Sequence, residues 1–175
     1  MTPSTHALTT FRRASFDPRI APPPLLPALF VLEPSMSSTA AVVSSFHPVA
    51  TLQTLGVTSA AGLVAGRATI DHAVQHLGAR TVVLCAEAAR RPDRDGAGER
   101  LLAACSALSS DPEVGALLRG RSVTVEALWF DTAEGDVSRW QPATRRFELL
   151  ADSGLERFFT EIHRRAASAS ATLAT

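Results

Sequence analysis

The sequence predicts an α/β fold with a mainly parallel central sheet of four to five strands flanked by helices. Helical segments alternate along the chain with short runs of apolar and β-branched residues, which is the pattern of βαβ units. The central run, residues 81–85, is apolar or β-branched throughout, as expected of a strand buried on both faces. The chain of 175 residues is long enough for one domain with its own core.

A helix, a glycine turn and a strand follow one another within residues 66–88. Ile70, Val74 and Leu77 recur at helical spacing. Gly78 comes directly after them, where helices commonly end in the left-handed conformation. With the strand at residues 81–85, this stretch is predicted to form one half of a βαβ unit.

Further elements are predicted on both sides of this unit. The predicted strands are residues 7–15, 29–32, 122–130, 137–140 and 147–150. The predicted helices are residues 38–45, 99–108, 112–120 and 154–167, the third of them capped by Ser110 or Asp111. Residues 7–167 are therefore expected to form a single domain, between a flexible N-terminus, residues 1–6, and a flexible tail, residues 168–175.

The composition excludes several classes of partner. Seventeen cationic and seventeen acidic side chains balance, and no basic face stands out, so nucleic acid is not an expected partner. No apolar run reaches the length of a membrane span, about 18 residues, so no membrane association is expected. The N-terminus lacks the pattern of a signal peptide, and Cys85 and Cys105 fall at predicted core positions. A cytoplasmic protein with two reduced cysteines is the expectation.

Residues 68–84, Ala-Thr-Ile-Asp-His-Ala-Val-Gln-His-Leu-Gly-Ala-Arg-Thr-Val-Val-Leu, resemble the helix–strand unit of β-class carbonic anhydrases. In that family a Gly-His-Ser-x-Cys-Gly loop with two zinc ligands follows. Here residues 85–90 read Cys-Ala-Glu-Ala-Ala-Arg, so Ala86 and Ala89 stand at the ligand positions. Residues 29–32 resemble the family's Leu-Phe-Val-Val segment, and residues 125–137 resemble its closing hairpin. The resemblance implies a β-carbonic-anhydrase-like fold and a dimer.

A second motif of the same family is a Cys-x-Asp-x-Arg turn that supplies another zinc ligand. Residues 15–19, Ser-Phe-Asp-Pro-Arg, resemble it, with Ser15 in place of the cysteine. The resemblance implies that Asp17 and Arg19 are a retained catalytic dyad. A serine hydroxyl is a poor zinc ligand because it ionises far above neutral pH. With all three ligand positions changed, no zinc cofactor is expected.

Two interpretations of the Asp17–Arg19 pair stay open. The pair can shape a small polar pocket in which Arg19 and Ser15 bind a small anion such as bicarbonate. Equally, Asp17 can cap the turn and pair with Arg19 for purely structural reasons. A weak alternative metal site consists of His72 and His76, four residues apart on a helix, with Cys85 or His47 as a third ligand.

The expected function is that of a carbonic-anhydrase-like pseudoenzyme whose zinc site is lost. Such a protein would be a dimeric scaffold, a homodimer or a hetero-oligomer with a related subunit, or a binder of a small anion. One alternative is an enzyme acting on a small carboxylate or carbamate through Asp17 and Arg19. Another is a carbonate dehydratase with non-standard zinc ligands. The sequence therefore leaves open whether the protein is an enzyme.

Overall fold

A computed structural model describes residues 28–32, 36, 39, 51–54, 60–89, 91–92 and 96–173. Its strands are β1 (Leu29–Leu32), β2 (Thr51–Thr54), β3 (Thr81–Ala88), β4 (Thr124–Asp131), β5 (Asp136–Gln141) and β6 (Arg146–Leu150). Its helices are α1 (Ala60–Gln75), α2 (Ala97–Ser110), α3 (Pro112–Gly120) and α4 (Asp152–Leu173). The predicted strand at residues 7–15 and the predicted helix at residues 38–45, apart from the helical Thr39, lie outside the described residues.

The strands form one six-stranded sheet in the order β2-β1-β3-β4-β5-β6. The first four are parallel neighbours, whereas β5 and β6 add an antiparallel edge beyond β4. The predicted α/β class is confirmed, but the sheet is mixed and has more strands than the predicted four to five. The additional strand is β2, which lies in a stretch rich in Ser, Ala, Thr and Gly that shows no apolar alternation.

The sheet separates two apolar cores. Helices α1, α2 and α3 cover one face, and α4 covers the other. Alternate residues of β3 enter different cores: Val82 and Leu84 face α1–α3, and Val83 and Cys85 face α4. The result is a three-layer arrangement in which β1 and β3 are buried on both faces, as their continuous apolar runs predicted.

Sequence signals locate several element ends correctly. Gly78 has φ of 75° just after α1, as the glycine turn predicted. Asp111 caps α3, since its carboxylate accepts hydrogen bonds from the backbone N–H groups of Glu113 and Val114.

Two helices are longer than their sequence patterns predict. Helix α1 begins at Ala60, upstream of its recognisable apolar stripe. Helix α4 continues to Leu173, through most of the segment that was predicted to be a flexible tail.

Candidate functional site

The parallel strands place their carboxyl ends along one edge of the sheet. The chain passes from β1 to β2 on one side and later from β3 to β4 on the other, so the strand order reverses between β1 and β3. In open α/β sheets, ligands bind outside the carboxyl ends of the strands at such a switch point. This edge is therefore where a ligand site is expected.

A buried threonine and a carboxylate meet at the switch point. Glu87, near the carboxyl end of β3, accepts hydrogen bonds from Thr39 through its Oε2 atom: 3.0 Å from the backbone nitrogen and 2.7 Å from Oγ1. Thr39 is fully buried, and Glu87 is half-buried. The contact joins residues that are 48 positions apart and fixes Thr39 against the end of β3.

Ala86 and Ala89, which the resemblance aligned with two zinc ligands, lie at the same edge. Ala86, on β3, packs partly buried against the core of the α1–α3 face. Ala89 follows the strand in an exposed bend. Neither methyl group has a lone pair to donate, so these residues do not fit a zinc ion held in the manner of the family. Ser15, Asp17 and Arg19 lie outside the described residues, so the structure does not place the proposed dyad.

The weak alternative metal ligands are not brought together. His72, on α1, and His76, in the turn just after it, are both exposed, with ring centroids 5.2 Å apart. The Cys85 side chain lies in the α4 core, on the opposite face of the sheet. Burial raises the pKa of the Cys85 thiol far above its usual range, which disfavours the thiolate that metals bind. Within the described part of the chain, no group of three or more His, Cys, Asp or Glu side chains could hold a metal ion. His47 lies outside that part.

A cavity of about 660 Å³ lies elsewhere, between the start of α2 and the antiparallel edge of the sheet. Its volume falls within the range of small-molecule sites. The start of α2, the end of β4 and the β5–β6 hairpin all contribute to its lining. None of the residues singled out from the sequence lines it.

The wall of this cavity is aromatic. Trp140 and Phe147 are cross-strand partners in β5 and β6, and their rings meet edge to face with centroids 5.4 Å apart. Gly98 lets the first turn of α2 approach this wall, because a Cβ atom there would lie 2.9 Å from the Phe147 ring and 2.7 Å from the Pro92 carbonyl oxygen. Any side chain at position 98 would therefore clash with the Phe147 ring and the Pro92 backbone.

Acidic groups line one end of the cavity. Asp131 and Asp136 are directly opposite each other where β4 pairs with β5. Asp131 is only 5% exposed, and its Oδ1 atom accepts hydrogen bonds from the backbone N–H groups of Ala133 and Glu134 in the turn. Its Oδ2 atom and the Asp136 carboxylate make no hydrogen bond or ion pair with any residue that the structure describes. Opposed like charges destabilise a strand pair, and the turn hydrogen bonds of Asp131 offset only part of that cost.

Arginines line the other end. Arg145 and Arg146 follow the β5–β6 turn, and Arg91 comes from the segment before α2. The Arg146 guanidinium lies 3.3 Å from the Glu148 carboxylate, whereas Arg91 and Arg145 form no ion pair with described residues. All three are exposed, and Arg145 and Arg146 form a cationic rim at the turn of the hairpin, whereas Arg91 comes three residues after Ala88, the partner of Asp131 in the sheet.

Sequence reasoning missed this cavity, although some of its parts were visible. A turn from residue 131 and a strand at residues 137–140 were predicted, and the pairing of β5 with β4 and β6 brings the acids, aromatics and arginines together. No short motif contains them, because the lining residues span positions 91 to 149.

Comparisons of this chain with protein-family models, with curated proteins and with solved structures found no match. None of the helices in the described ranges combines the length and the apolar character needed to cross a membrane.

Proposed function

We propose that this chain is a zinc-free, non-catalytic domain of the β-carbonic-anhydrase type that acts as a scaffold, a partner subunit or a binder of a small anion. The observation that carries the proposal is that alanines, Ala86 on β3 and Ala89 just after it, stand where the resemblance would place two zinc ligands. Zinc catalysis of hydration requires a metal that acidifies a bound water. The methyl groups of Ala86 and Ala89 cannot bind a metal as an imidazole and a thiolate would.

The arrangement of the resembling segments supports the family assignment. Residues 29–32, residues 68–84 and residues 125–137 contribute β1, α1–β3 and the β4–β5 hairpin. These strands are consecutive neighbours in the order β1-β3-β4-β5. Segments that resemble parts of one family's sheet thus lie side by side in one sheet here.

The Thr39–Glu87 contact supports a non-catalytic role. In the resemblance, Glu87 corresponds to the serine of the Gly-His-Ser-x-Cys-Gly loop. Its Oε2 atom accepts two hydrogen bonds from Thr39, which commits that oxygen to holding Thr39 at the end of β3.

Metal content and CO2 hydration of the purified protein test the proposal together. We expect no stoichiometric zinc and no hydration above the buffer rate. The matched variant is Ser15→Cys/Ala86→His/Ala89→Cys, which restores the family's donors and is expected to take up zinc. Stoichiometric zinc with hydration in the unmodified protein would overturn the proposal. A folded triple variant without zinc would contradict the alignment of the two motifs.

The anion-binding and assembly roles are tested separately. If Arg19 holds a small anion, bicarbonate titration followed by NMR should shift resonances in the unmodified protein and not in Arg19→Gln. Sedimentation at micromolar concentration tests the homodimer. A monomer under those conditions, without added partner, would remove the homodimeric scaffold and leave the other two roles.

A further inference from the structure

The cavity between α2 and the β5–β6 hairpin has two ends of opposite charge. Asp136, Ser138 and Trp140 alternate along β5 and therefore share the face that lines the cavity. Asp136 begins the strand beside Asp131, and Trp140 lies four residues on, about 13 Å away at the usual strand rise. Arg145 follows beyond Trp140 at the turn. Acid, aromatic ring and cation thus succeed one another along a single strand and its turn.

Each section of this surface selects a different part of a ligand. The half-buried Trp140 and Phe147 offer an apolar edge against which a planar ring can stack. The Asp131 Oδ2 atom and the Asp136 carboxylate are acceptors only, so they require hydrogen-bond donors. The guanidinium of Arg145 is a fork of donors suited to a phosphate or carboxylate.

Simpler occupants use only part of the cavity. A free phosphate would leave the opposed carboxylates at the other end unpaired. A cation would meet the arginine rim, and its charge would be repelled there. A free aromatic amino acid carries its ammonium and carboxylate on one carbon, so it cannot serve two separated ends. A ligand that uses the whole lining has a planar ring, with hydrogen-bond donors on one side and an anionic group on the other.

We propose that this cavity binds a nucleoside monophosphate, with the base beside Trp140, the donor edge of the base toward Asp131 and Asp136, and the phosphate at Arg145 and Arg146. Guanine suits the acidic end because its N1–H and N2–H2 groups form a pair of donors on one edge. Glu99, in the first turn of α2, also lines the cavity and adds a further acceptor for donor groups of the ligand. This inference is independent of the zinc-free proposal above.

Guanosine monophosphate, guanosine and inorganic phosphate are the probes for titration calorimetry and tryptophan fluorescence. Trp140 is half-buried and Trp129 only 3% exposed, so a fluorescence change on binding reports mainly on Trp140. We expect saturable binding of guanosine monophosphate, with guanosine and phosphate each weaker by about tenfold or more. Equal binding of the nucleotide and either fragment would overturn the two-ended site, as would no saturable binding at concentrations up to about 1 mM.

Two variants separate the ends of the site. Arg145→Gln should weaken guanosine monophosphate about tenfold and leave guanosine unchanged. Asp136→Asn should weaken both, because it replaces an acceptor-only carboxylate by an amide. Arg164→Gln and Glu156→Gln, at exposed positions of α4, are the matched controls and should change neither.

Circular dichroism verifies that each variant is folded. Arg145 has φ of 53° in its turn, so glutamine there could disturb the turn. In that case the binding of guanosine monophosphate and guanosine to Asp136→Asn decides the test. Nucleotide binding that neither variant alters would overturn the assignment to this cavity.

Discussion

Arg139 and Glu126 form a bidentate ion pair across neighbouring strands. The Arg139 Nη2 atom lies 2.8 Å from Glu126 Oε1, and Nε lies 3.1 Å from Oε2. The two side chains are 18% and 12% exposed, so the pair is largely removed from water. Planar guanidinium and carboxylate groups in this arrangement make two parallel hydrogen bonds, which fixes both side chains.

The pair is the centre of a network that attaches α4 to the sheet. Arg165, on α4, donates to the same Glu126 Oε1 atom at 3.1 Å and also pairs with Glu161. Arg139 Nη1 lies 3.6 Å from Glu161, and its guanidinium stands 5.1 Å from the centroid of the Phe158 ring. Glu126 is therefore the carboxylate that both arginines share.

Glu126→Gln should destabilise the fold. The amide keeps the size of the side chain but removes the charge that balances Arg139 and Arg165, and broken buried pairs are costly. Because these groups retain some exposure, we expect the free energy of unfolding to fall by about 2–3 kcal/mol. Urea denaturation measures it. Glu156→Gln, exposed on α4, is the control and should change stability by less than about 0.5 kcal/mol. Equal effects of the two changes would contradict the network's role.

Gly115→Ala should also destabilise the protein. Gly115 is buried where α3 turns back against α2, and a Cβ atom there would lie 2.2 Å from the Ser109 carbonyl oxygen. Backbone cannot yield as a flexible side chain does, so α3 must shift, at a cost of about 2–3 kcal/mol.

Gly120→Ala is the matched control on the same helix. A Cβ atom at Gly120 meets nothing within 4 Å. Alanine there should leave the free energy of unfolding unchanged or raise it by up to about 1 kcal/mol, because it restricts the unfolded chain. Thermal unfolding of both variants makes the comparison, and a Gly115→Ala protein as stable as Gly120→Ala would show that the α2–α3 contact is looser than described.

Asp111→Ala should lower the midpoint of urea unfolding, and Asp111→Asn should lower it less. The Asp111 Oδ1 atom accepts from the backbone nitrogens of Glu113 at 3.1 Å and Val114 at 3.0 Å, and Arg67 pairs with the same carboxylate. Alanine removes both interactions, whereas asparagine retains an oxygen that can cap the helix. Equal losses would mean that the ion pair, and not the cap, supplies the stabilisation.

The same carboxylate predicts a pH dependence. The N–H of Val114, with the Arg67 guanidinium beside it, lowers the pKa of Asp111 below its ordinary value of 3.8. A depressed folded-state pKa contributes stability that is complete above the unfolded value and is lost as the pH falls through the folded one. The stability difference between the unmodified protein and Asp111→Asn should therefore persist at neutral pH and shrink below about pH 4. A difference that stays constant down to about pH 2 would contradict the assignment.

Neither cysteine should react quickly with a thiol reagent in the folded protein. Burial raises the pKa of Cys105 to about 12 and that of Cys85 further still, so the reactive thiolate is scarce at neutral pH. Titration with a chromogenic disulfide at about pH 8 should show slow reaction, which becomes rapid for two thiols per chain in denaturant. Rapid labelling of one native thiol would show that its site opens.

Local signals in the sequence sufficed for much of the fold. The apolar runs of β1 and β3 identified buried strands, and Asp111 before Pro112 identified the start of α3. Strand β2 was not predicted, because Thr51–Thr54 contains a single apolar residue and shows no alternation. Its strand conformation comes with its pairing to β1. Apolar periodicity indicates which face of an element is buried. It gives no signal for a strand that forms mainly through backbone hydrogen bonds.

The cavity could not be predicted for a different reason. In the sequence, Asp131 stands at the start of a predicted turn, and Arg145 stands between two predicted strands. Neither position carries a motif of a binding site. They become parts of one surface only when β5 and β6 fold back on β4 and α2 packs over them. The Thr39–Glu87 contact likewise depends on the topology that places β1 beside β3, since the two residues are 48 positions apart.

The alternation along β3 limits how this chain can change in length. Since Val82 and Val83 belong to separate cores, one residue inserted between them would turn every later side chain of the strand to the opposite layer. Cys85 would then face α1–α3, and Leu84 would face α4. Single-residue insertions should therefore be tolerated in turns such as residues 132–135 and not within β3.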